Sequence, residues 1–308
     1  MVSRPAIITI CGPTASGKSP LALELAKTLD GEIISADSMQ VYIHMDIGTD
    51  KPPAEVRQRI KHHMIDLIYP DQSFDASRYR KEALQAIQVI RDSGKKTFVV
   101  GGTGLYIRAL LYGLFPCPPI PPGTRIKLQE KARRLGIGHL YDELKRVDSR
   151  GATRIHPNDS FRIIRALEVW EALGKPISEL RQAHGFSQTS YRVLKIGIDR
   201  ERGELYRRIE SRVDRMIDRG LVTEVEQLFN LGYDRNLRPM QSIGYGQIVS
   251  YLHGDVPLER AIELIKRDSR RYAKRQLTWF RADPEVYWLS GRNIEIEALQ
   301  KVKNFLKV

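Results

Sequence analysis

The chain has 308 residues, of which 42% are hydrophobic and 28% are charged, so it can form a substantial hydrophobic core. Its 50 Lys and Arg residues outnumber its 37 Asp and Glu residues, and the net charge of +13 indicates a polyanionic partner such as nucleic acid, with a generally basic enzyme as the alternative. The two cysteines, Cys11 and Cys117, argue against a disulfide framework or a cysteine-rich zinc site, and no segment is apolar and long enough to predict a membrane span. We therefore expect a cytoplasmic protein with no signal peptide and no membrane partner.

A phosphate-binding loop is predicted close to the start of the chain. The segment GPTASGKS has the Walker A spacing, and the apolar residues 7–10 supply the strand that must precede it. Glycines let backbone N–H groups turn toward a phosphate, Lys18 adds a positive charge, and the hydroxyl of Ser19 is a suitable ligand for Mg²⁺. The predicted diphosphate- or nucleotide-binding residues are Gly12, Pro13, Thr14, Ala15, Ser16, Gly17, Lys18 and Ser19, with Ser19 also the predicted metal ligand.

Two further predicted strands lead into polar residues. One ends at Asp37, and the other, residues 97–100, runs into a glycine-rich turn that contains Thr103. Because ligands gather at the carboxyl ends of strands in open α/β sheets, Asp37 and Thr103 are expected near Lys18. The alternatives are an Asx turn for Asp37 and an ordinary strand-to-helix turn at Thr103.

The rest of the pattern predicts a second, helical domain. Residues 116–122 contain five prolines and mark a boundary, after which the periodicity is helical until a strand returns at residues 191–198. The predicted fold class is α/β, a P-loop NTPase-like parallel sheet flanked by helices with a helical insertion domain. Residues 1–115 and 190–308 are expected to form the catalytic core, and residues 116–189 the insertion.

Smaller elements are predicted from the same periodicities. An apolar strand is expected at residues 64–68, and the adjacent His62 and His63 are expected to be a surface pair rather than a metal site. A long helical stretch is expected at residues 201–231 and a glycine-containing loop at 239–246. A helix is expected at residues 261–281, a strand at 286–289 and a closing helix at 294–306.

Basic residues recur at helical spacing in the second half of the chain. Arg208, Arg212 and Arg215 fall on one face of a predicted helix. Residues 266–281 contain seven basic residues and one acidic residue, beside Trp279 and Phe280. Such a stripe fits phosphate contact with base stacking, and a solvated basic helix is the alternative.

A phosphate-binding loop with a carboxylate nearby fits two kinds of transfer. A P-loop kinase would move a phosphoryl group to a hydroxyl. In the other kind, diphosphate is the leaving group and Asp37 removes a proton from the attacking nucleophile.

Six motifs occur in order from about residue 7 to residue 281: GPTASGKS, ISADSMQVYIHMDIGT, GGTGLYIRALLYG, IHPND followed by RIIRALEVW, SIGYG, and AKRQLTWFR. In these motifs the chain resembles the bacterial tRNA dimethylallyltransferase family. Its members transfer the dimethylallyl group from dimethylallyl diphosphate to N6 of the adenosine on the 3′ side of the anticodon in tRNA, and release diphosphate. The resemblance implies Mg²⁺, a P-loop used without nucleotide hydrolysis, and an insertion that grips the anticodon stem-loop. A monomer is expected.

The resemblance also implies roles for individual residues. Asp37 resembles the general base, while Thr103 and Arg212, together with Lys18, resemble the residues that hold the reacting end and the diphosphate. Two positions depart from the family pattern: Gly246 stands where relatives commonly have Lys or Arg, and Phe161 where a polar residue is usual. The implied tRNA contacts are Asp37, Ser38, Met39, Gln40, Thr103, Arg125, Phe161, Arg162, Ile163, Ile164, Arg165, Gln241, Ser242, Ile243, Gly244, Tyr245, Gly246, Lys274, Arg275, Gln276, Leu277, Thr278, Trp279, Phe280 and Arg281.

Three alternatives to this interpretation remain at the level of the sequence. They are an adenylate dimethylallyltransferase acting on a free nucleotide, a P-loop kinase of a small molecule, and an RNA-binding module without enzymatic activity.

Overall fold

A parallel six-stranded sheet organises the computed structural model, which describes residues 4–118 and 120–307. Residues 1–3 and 308 of the predicted core and Pro119 of the predicted boundary lie outside the described residues. The strands are β1 (Ala6–Cys11), β2 (Gly31–Ser35), β3 (His62–His63), β4 (Lys96–Gly101), β5 (Arg192–Ile198) and β6 (Val286–Leu289). Their order in the sheet is β3-β2-β4-β1-β5-β6.

The described helices are α1 (Lys18–Thr28), α2 (Ala54–Arg59), α3 (Ala76–Asp92), α4 (Gly104–Tyr112), α5 (Pro122–Leu135), α6 (Ile137–Val147), α7 (Ser149–Ala152), α8 (Ser160–Leu173), α9 (Ile177–His184), α10 (Arg202–Asp218), α11 (Leu221–Asn230), α12 (Tyr245–Leu252), α13 (Leu258–Arg281) and α14 (Ile294–Leu306). A short 3₁₀ helix covers Pro239–Gln241. No helix in the described part of the chain is long and apolar enough to cross a membrane.

The chain divides into two compact units. Unit 1 consists of Met1–Leu111 and Ser190–Val308 and contains the sheet, and unit 2 consists of Tyr112–Thr189. The boundary therefore falls four residues before the predicted start of the insertion at residue 116, because helix α4 ends at Tyr112 and the following segment already belongs to unit 2.

The central strands of unit 1 are buried because helices cover the sheet. β1 and β4 are each buried at all positions after the first, as is typical of parallel strands that lie inside a protein. Cys11, at the end of β1, pairs in register with Gly101 on β4 and with Gly197 on β5. These three strands therefore end at the same level, and the loops that follow them lie along one edge of the sheet.

Unit 2 is helical and has its own core. Leu128, Leu140, Ile163 and Leu167, from α5, α6 and α8, are buried in one hydrophobic cluster. Asp148 is also buried, and its carboxylate accepts hydrogen bonds from Gly151 N and from the backbone and hydroxyl of Ser178.

The prediction of a strand at residues 64–68 is wrong. The edge strand β3 is shorter and earlier, and in residues 64–68 only an isolated bridge between Ile68 and Tyr42 is formed. Met64 and Asp66 have positive φ angles of 67° and 55°, and this left-handed backbone cannot continue a ladder. Met64, Ile65 and Ile68 are buried by the packing of a loop, so hydrophobicity alone did not identify a strand.

The structure also corrects two predicted boundaries and the description of the histidines. The helical stretch 201–231 is two helices, α10 and α11, separated by Gly220 at a φ of 94°. The predicted loop 239–246 contains the 3₁₀ helix and the first two residues of α12. His62 and His63 are half-buried, and His63 Nε2 contacts Glu32 Oε2 at 2.7 Å.

Candidate active site

The phosphate-binding loop joins β1 to α1 as the Walker spacing predicts. Gly12 and Gly17 have φ angles of 137° and 100°, which a residue with a side chain rarely adopts. Lys18 is the first residue of α1, and its ammonium donates to Pro13 O at 2.5 Å. Burial, and secondly the charge of Arg212, lower the pKa of Lys18 to about 8. An anion bound in the loop would stabilise the charged form of this lysine.

A cavity of about 870 Å³ opens from this loop. It brings together Lys18 and Asp37, which the sequence predicted to be neighbours. Its wall also includes polar loop segments and arginines of α10, namely Ser38, Met39, Gln40, Gly48, Thr49, Asp50, Arg207, Arg208, Arg212, Arg215, Gln241, Ser242, Ile243 and Gly244. A positive loop and a carboxylate thus line the same cavity.

Asp37 follows β2 and is half-buried. Its Oδ1 accepts a hydrogen bond from Met39 N at 2.8 Å, which is the Asx turn considered as the alternative to a chemical role. Its Oδ2 has no hydrogen-bond partner within residues 4–118 and 120–307. The turn therefore fixes the carboxylate and leaves one oxygen available to a ligand in the cavity.

The glycine-rich turn after β4 allows the strand ends to converge. A side chain at Gly101 would bring its Cβ within 2.1 Å of Ala36 O, so only glycine permits this approach. Thr103 N donates to Ala36 O at 3.0 Å, and Thr103 Oγ1 accepts from Ser38 N at 3.1 Å. The predicted residue Thr103 therefore supports the Asp37 turn from the neighbouring strand.

Gln276 on α13 ties this helix to both glycine-rich turns. Its side chain is 6% exposed; Oε1 accepts from Thr14 N at 2.8 Å, and Nε2 donates to Gly102 O at 3.0 Å. Gln276 thus fixes the phosphate-binding loop against β4. It also lines the cavity, so its predicted contact with tRNA stays a prediction.

Tyr272 lies one turn before Gln276 and also lines the cavity. Burial, together with the nearby charge of Asp37, raises the pKa of Tyr272 to about 12, so its hydroxyl stays protonated at neutral pH. No sequence motif predicted a chemical role for Tyr272. Its spacing of four residues from Gln276 is the one signal that it shares a helix face with a residue of the site.

Arg212 reaches the phosphate-binding loop from α10. Its guanidinium donates to Thr14 Oγ1, and its Nε lies 3.3 Å from Asp50 Oδ2. Arg200 donates to Ser16 O at 3.1 Å, a contact that no sequence motif predicted. The loop is therefore flanked by two arginines in addition to its own lysine.

The basic helix α13 carries fewer free charges than its sequence suggests. Lys266 pairs with Asp214, Arg270 pairs with Glu210, and Arg267 and Arg271 both pair with Asp268. These four residues therefore have acidic partners within the protein, which reduces the charge that they offer to a phosphate. Within the part of the chain that the structure describes, the ammonium of Lys274 has no ion pair and is exposed.

The two aromatic residues at the end of α13 differ in exposure. Trp279 is 40% exposed, with the guanidinium of Arg108 4.6 Å from its ring centroid, and it packs on Gly104. Phe280 is 4% exposed, so the prediction that its ring stacks on a base is wrong. Only Trp279 presents an aromatic surface at this point.

Three more predicted tRNA contacts have buried side chains. Ile163 and Ile164 belong to the core of unit 2, and Tyr245 is fully buried, with its hydroxyl bonded to Glu224 Oε1. The resemblance implied contacts for whole segments and did not distinguish these inward-facing positions from their exposed neighbours. The prediction that these three side chains contact tRNA is therefore wrong.

The exposed predicted residues of unit 2 form one group. Phe161 is 59% exposed, and the guanidinium of Arg125 lies 5.4 Å from its ring centroid. Arg125 is fixed by Glu168 through contacts of 2.6 and 3.1 Å, while Arg162 pairs with Asp159 at 3.1 Å.

Comparison with known proteins gives consistent results. A family model described as IPP transferase matches residues 40–283. The tRNA dimethylallyltransferase 2 of Geotalea uraniireducens is 54% identical over 283 residues, covering 92% of this chain and 91% of that protein. The tRNA dimethylallyltransferase of Geobacter sulfurreducens is 50% identical over 287 residues, covering 93% of this chain and 92% of that protein.

Two solved structures are similar over nearly the whole chain. The full-length tRNA isopentenylpyrophosphate transferase from Bacillus halodurans is 38% identical with a TM-score of 0.73, covering 99% of this chain and 97% of that chain. A eukaryotic dimethylallyltransferase acting on tRNA is 28% identical with a TM-score of 0.84, covering 98% of this chain and 80% of that chain.

Proposed function

We propose that this chain, which belongs to the IPP transferase family, is a prenyltransferase that modifies tRNA. It transfers the dimethylallyl group of dimethylallyl diphosphate to N6 of the adenosine on the 3′ side of the anticodon, and diphosphate is released. The observation that carries this proposal is that Lys18 and Asp37 line one cavity, so that a leaving diphosphate and an incoming amine can meet between them.

The diphosphate of the donor is held by the phosphate-binding loop. The backbone N–H groups of Ala15, Gly17, Lys18 and Ser19, the ammonium of Lys18 and the guanidinium of Arg212 are the donors that this anion would meet. Charge that develops on the leaving oxygen is stabilised there without reorganisation of solvent.

The donor set also fits Mg²⁺ delivered with the diphosphate. The hydroxyl of Ser19 is exposed to the cavity at the first turn of α1, and the described residues contain no cluster of three or more ligands that would hold a metal without the substrate. Mg²⁺ usually takes few protein ligands and completes its coordination with water and phosphate oxygens. Bound there, it would neutralise part of the negative charge of the diphosphate.

Asp37 is the proposed general base. An exocyclic aromatic amine is a weak nucleophile, and acceptance of its proton by Asp37 Oδ2 while the C–N bond forms would contribute about 10²- to 10⁴-fold to the rate. The hydrogen bond from Ser38 N to Thr103 Oγ1 keeps the turn of Asp37 in place. The proton of the amine goes to the carboxylate, and the electron pair of the broken C–O bond leaves with the diphosphate.

The acceptor adenosine must leave the stacked anticodon loop to reach this cavity, at a cost of a few kcal/mol. Exposed basic and aromatic groups of unit 1, among them Lys274, Arg275 and Trp279, are proposed to bind backbone and bases and offset this cost. In unit 2 the proposed contacts with the anticodon stem-loop are Arg125, Phe161, Arg162 and Arg165. We further propose a monomer in the cytoplasm, where a reducing medium keeps Cys11 and Cys117 as thiols.

The direct test is incubation of the protein with labelled dimethylallyl diphosphate and unmodified tRNA, followed by digestion to nucleosides. We expect label in N6-dimethylallyladenosine from the position 3′ of the anticodon. Parallel reactions with AMP and ATP as acceptors, and with ATP as a phosphoryl donor, test the free-nucleotide enzyme and the kinase. Transfer to AMP but not to tRNA, or absence of transfer to either, would contradict the proposal.

A further inference from the structure

Glu224 is a buried acid outside the residues assigned above. It lies in the first turn of α11 and is 7% exposed. Its Oε2 accepts hydrogen bonds from Asp46 N at 2.8 Å and from Ile47 N at 2.7 Å, and its Oε1 accepts from Gly48 N at 3.1 Å. Three successive backbone amides therefore converge on one carboxylate, as they do on a bound anion in a backbone nest.

The same carboxylate holds a second segment. The hydroxyl of Tyr245, at the start of α12, donates to Glu224 Oε1 at 2.6 Å. Burial, and the charge of Glu224, raise the pKa of Tyr245 above its usual value, so this hydroxyl remains a donor. A Cβ on Gly48 would lie 2.4 Å from the ring of Tyr245, so the two segments are packed as closely as the backbone allows.

Both segments lead into the wall of the active-site cavity. Residues 48–50 line the cavity, and Gln40 Nε2 donates to the carbonyls of Thr49 and Asp50 at 3.3 Å. Gln40 belongs to the turn that begins at Asp37. On the second segment, residues 241–244 line the cavity and lead directly into Tyr245.

We propose that Glu224 is a positioning residue for the acceptor side of the cavity. By joining residues 46–48 to Tyr245, it holds together the two loops between which the adenosine enters. The inference rests on the proposed function, in which these loops receive the anticodon region of tRNA. Glu224 makes no direct contact with Lys18, Arg212 or the phosphate-binding loop. Its link to the diphosphate site is indirect, through the pair of Asp50 with Arg212, so diphosphate binding depends on it much less than tRNA binding does.

Substitution of Glu224 leaves buried donors without a partner. In Glu224→Gln the side chain keeps its size, but its amide nitrogen faces N–H groups and cannot accept from them. We expect the loops to separate, the Kd and KM for tRNA to rise about tenfold, and the Kd for inorganic diphosphate to stay within about twofold of the wild-type value.

The second variant, Tyr245→Phe, removes one donor and leaves the three backbone amides bonded. We expect it to fold and to raise the same tRNA parameters by about threefold. This variant decides the question if Glu224→Gln does not fold.

Glu32→Gln is the matched control. Glu32 is an equally buried carboxylate of unit 1, bonded to His63 and Lys95, and it has no contact with the cavity loops. We expect it to lower the melting temperature without changing the Kd for tRNA.

Filter binding of tRNA, calorimetric titration with inorganic diphosphate and steady-state kinetics of the wild type and the three variants test the proposal. A weakened affinity for tRNA with unchanged affinity for diphosphate supports it. Unchanged tRNA affinity in a folded Glu224→Gln or Tyr245→Phe variant overturns it, as does a parallel loss of both affinities, which is the result of general structural damage. The two binding measurements do not require turnover, so they remain informative if the wild type fails to transfer the prenyl group.

Discussion

At the scale of single residues, Asp37 combines two roles that substitutions can separate. Its Oδ1 closes the Asx turn with Met39, whereas its Oδ2 is available to the acceptor. Asparagine can close the same turn but cannot take a proton. We therefore expect Asp37→Asn to lower the rate of the chemical step by about 10²- to 10⁴-fold while tRNA and diphosphate bind as in the wild type.

Single-turnover kinetics with prebound tRNA measure this step directly. Asp37→Ala removes the turn as well, so we expect it also to weaken tRNA binding. A rate within about threefold of the wild type in Asp37→Asn would contradict the assignment of the base.

Lys18 makes diphosphate binding dependent on pH. Because its pKa in the free protein is about 8, it is charged below this pH and progressively neutral above it. A bound anion favours the charged form and raises the pKa of Lys18, so binding takes up a proton above pH 8. The affinity for inorganic diphosphate should therefore be greatest below pH 8 and fall by up to about tenfold per pH unit above it.

Titration calorimetry between pH 7 and pH 9.5 gives both the affinity and the number of protons taken up. The control is Lys18→Met, which should bind weakly and lose the dependence in this interval. A constant affinity of the wild type across the interval would show that Lys18 does not titrate in the site.

At the scale of secondary structure elements, the amide of Gln276 links α13 to both glycine-rich turns. Replacement of Gln276 by Leu leaves Thr14 N and Gly102 O buried without partners, which costs about 3 kcal/mol of the free energy of unfolding. We also expect weaker diphosphate binding, because Thr14 belongs to the phosphate-binding loop.

Urea denaturation with and without inorganic diphosphate measures both effects of Gln276→Leu. Gln300→Leu is the matched control, since Gln300 lies on the exposed face of α14 and bonds only to Asn304. Its effect should stay within about 0.5 kcal/mol. Equal stabilities of the two variants would contradict the role assigned to Gln276.

The sequence predicted elements well where one local signal was sufficient. β6 and α14 have the predicted bounds, and the phosphate-binding loop follows from the spacing of glycine and lysine. The strand at residues 64–68 was wrong because its left-handed residues depend on the packing of the whole loop. The roles of Gln276 and Glu224 could not be predicted, because their partners lie far away in the chain and no local pattern records them.

At the scale of the whole molecule, the net charge of +13 overstates the charge that is free to bind RNA. Many basic residues of α13 are neutralised by acidic neighbours, whereas Lys274 and the cavity residue Arg215 have no ion pair within the described residues. Phosphate contacts release counterions, so the logarithm of tRNA affinity should fall linearly with the logarithm of the salt concentration. Each lost contact should make that slope shallower by about one unit.

We therefore expect Lys274→Gln to weaken tRNA binding similarly for all tRNA sequences and to reduce the salt slope by about one. The control is Lys303→Gln, an exposed lysine on the closing helix α14 and outside the basic helix α13, and it should leave the slope unchanged. Filter binding between 50 and 200 mM salt, roughly the interval over which such losses are large, distinguishes the two variants. If both substitutions change the slope equally, tRNA responds to the overall charge of the protein and not to a defined surface on α13.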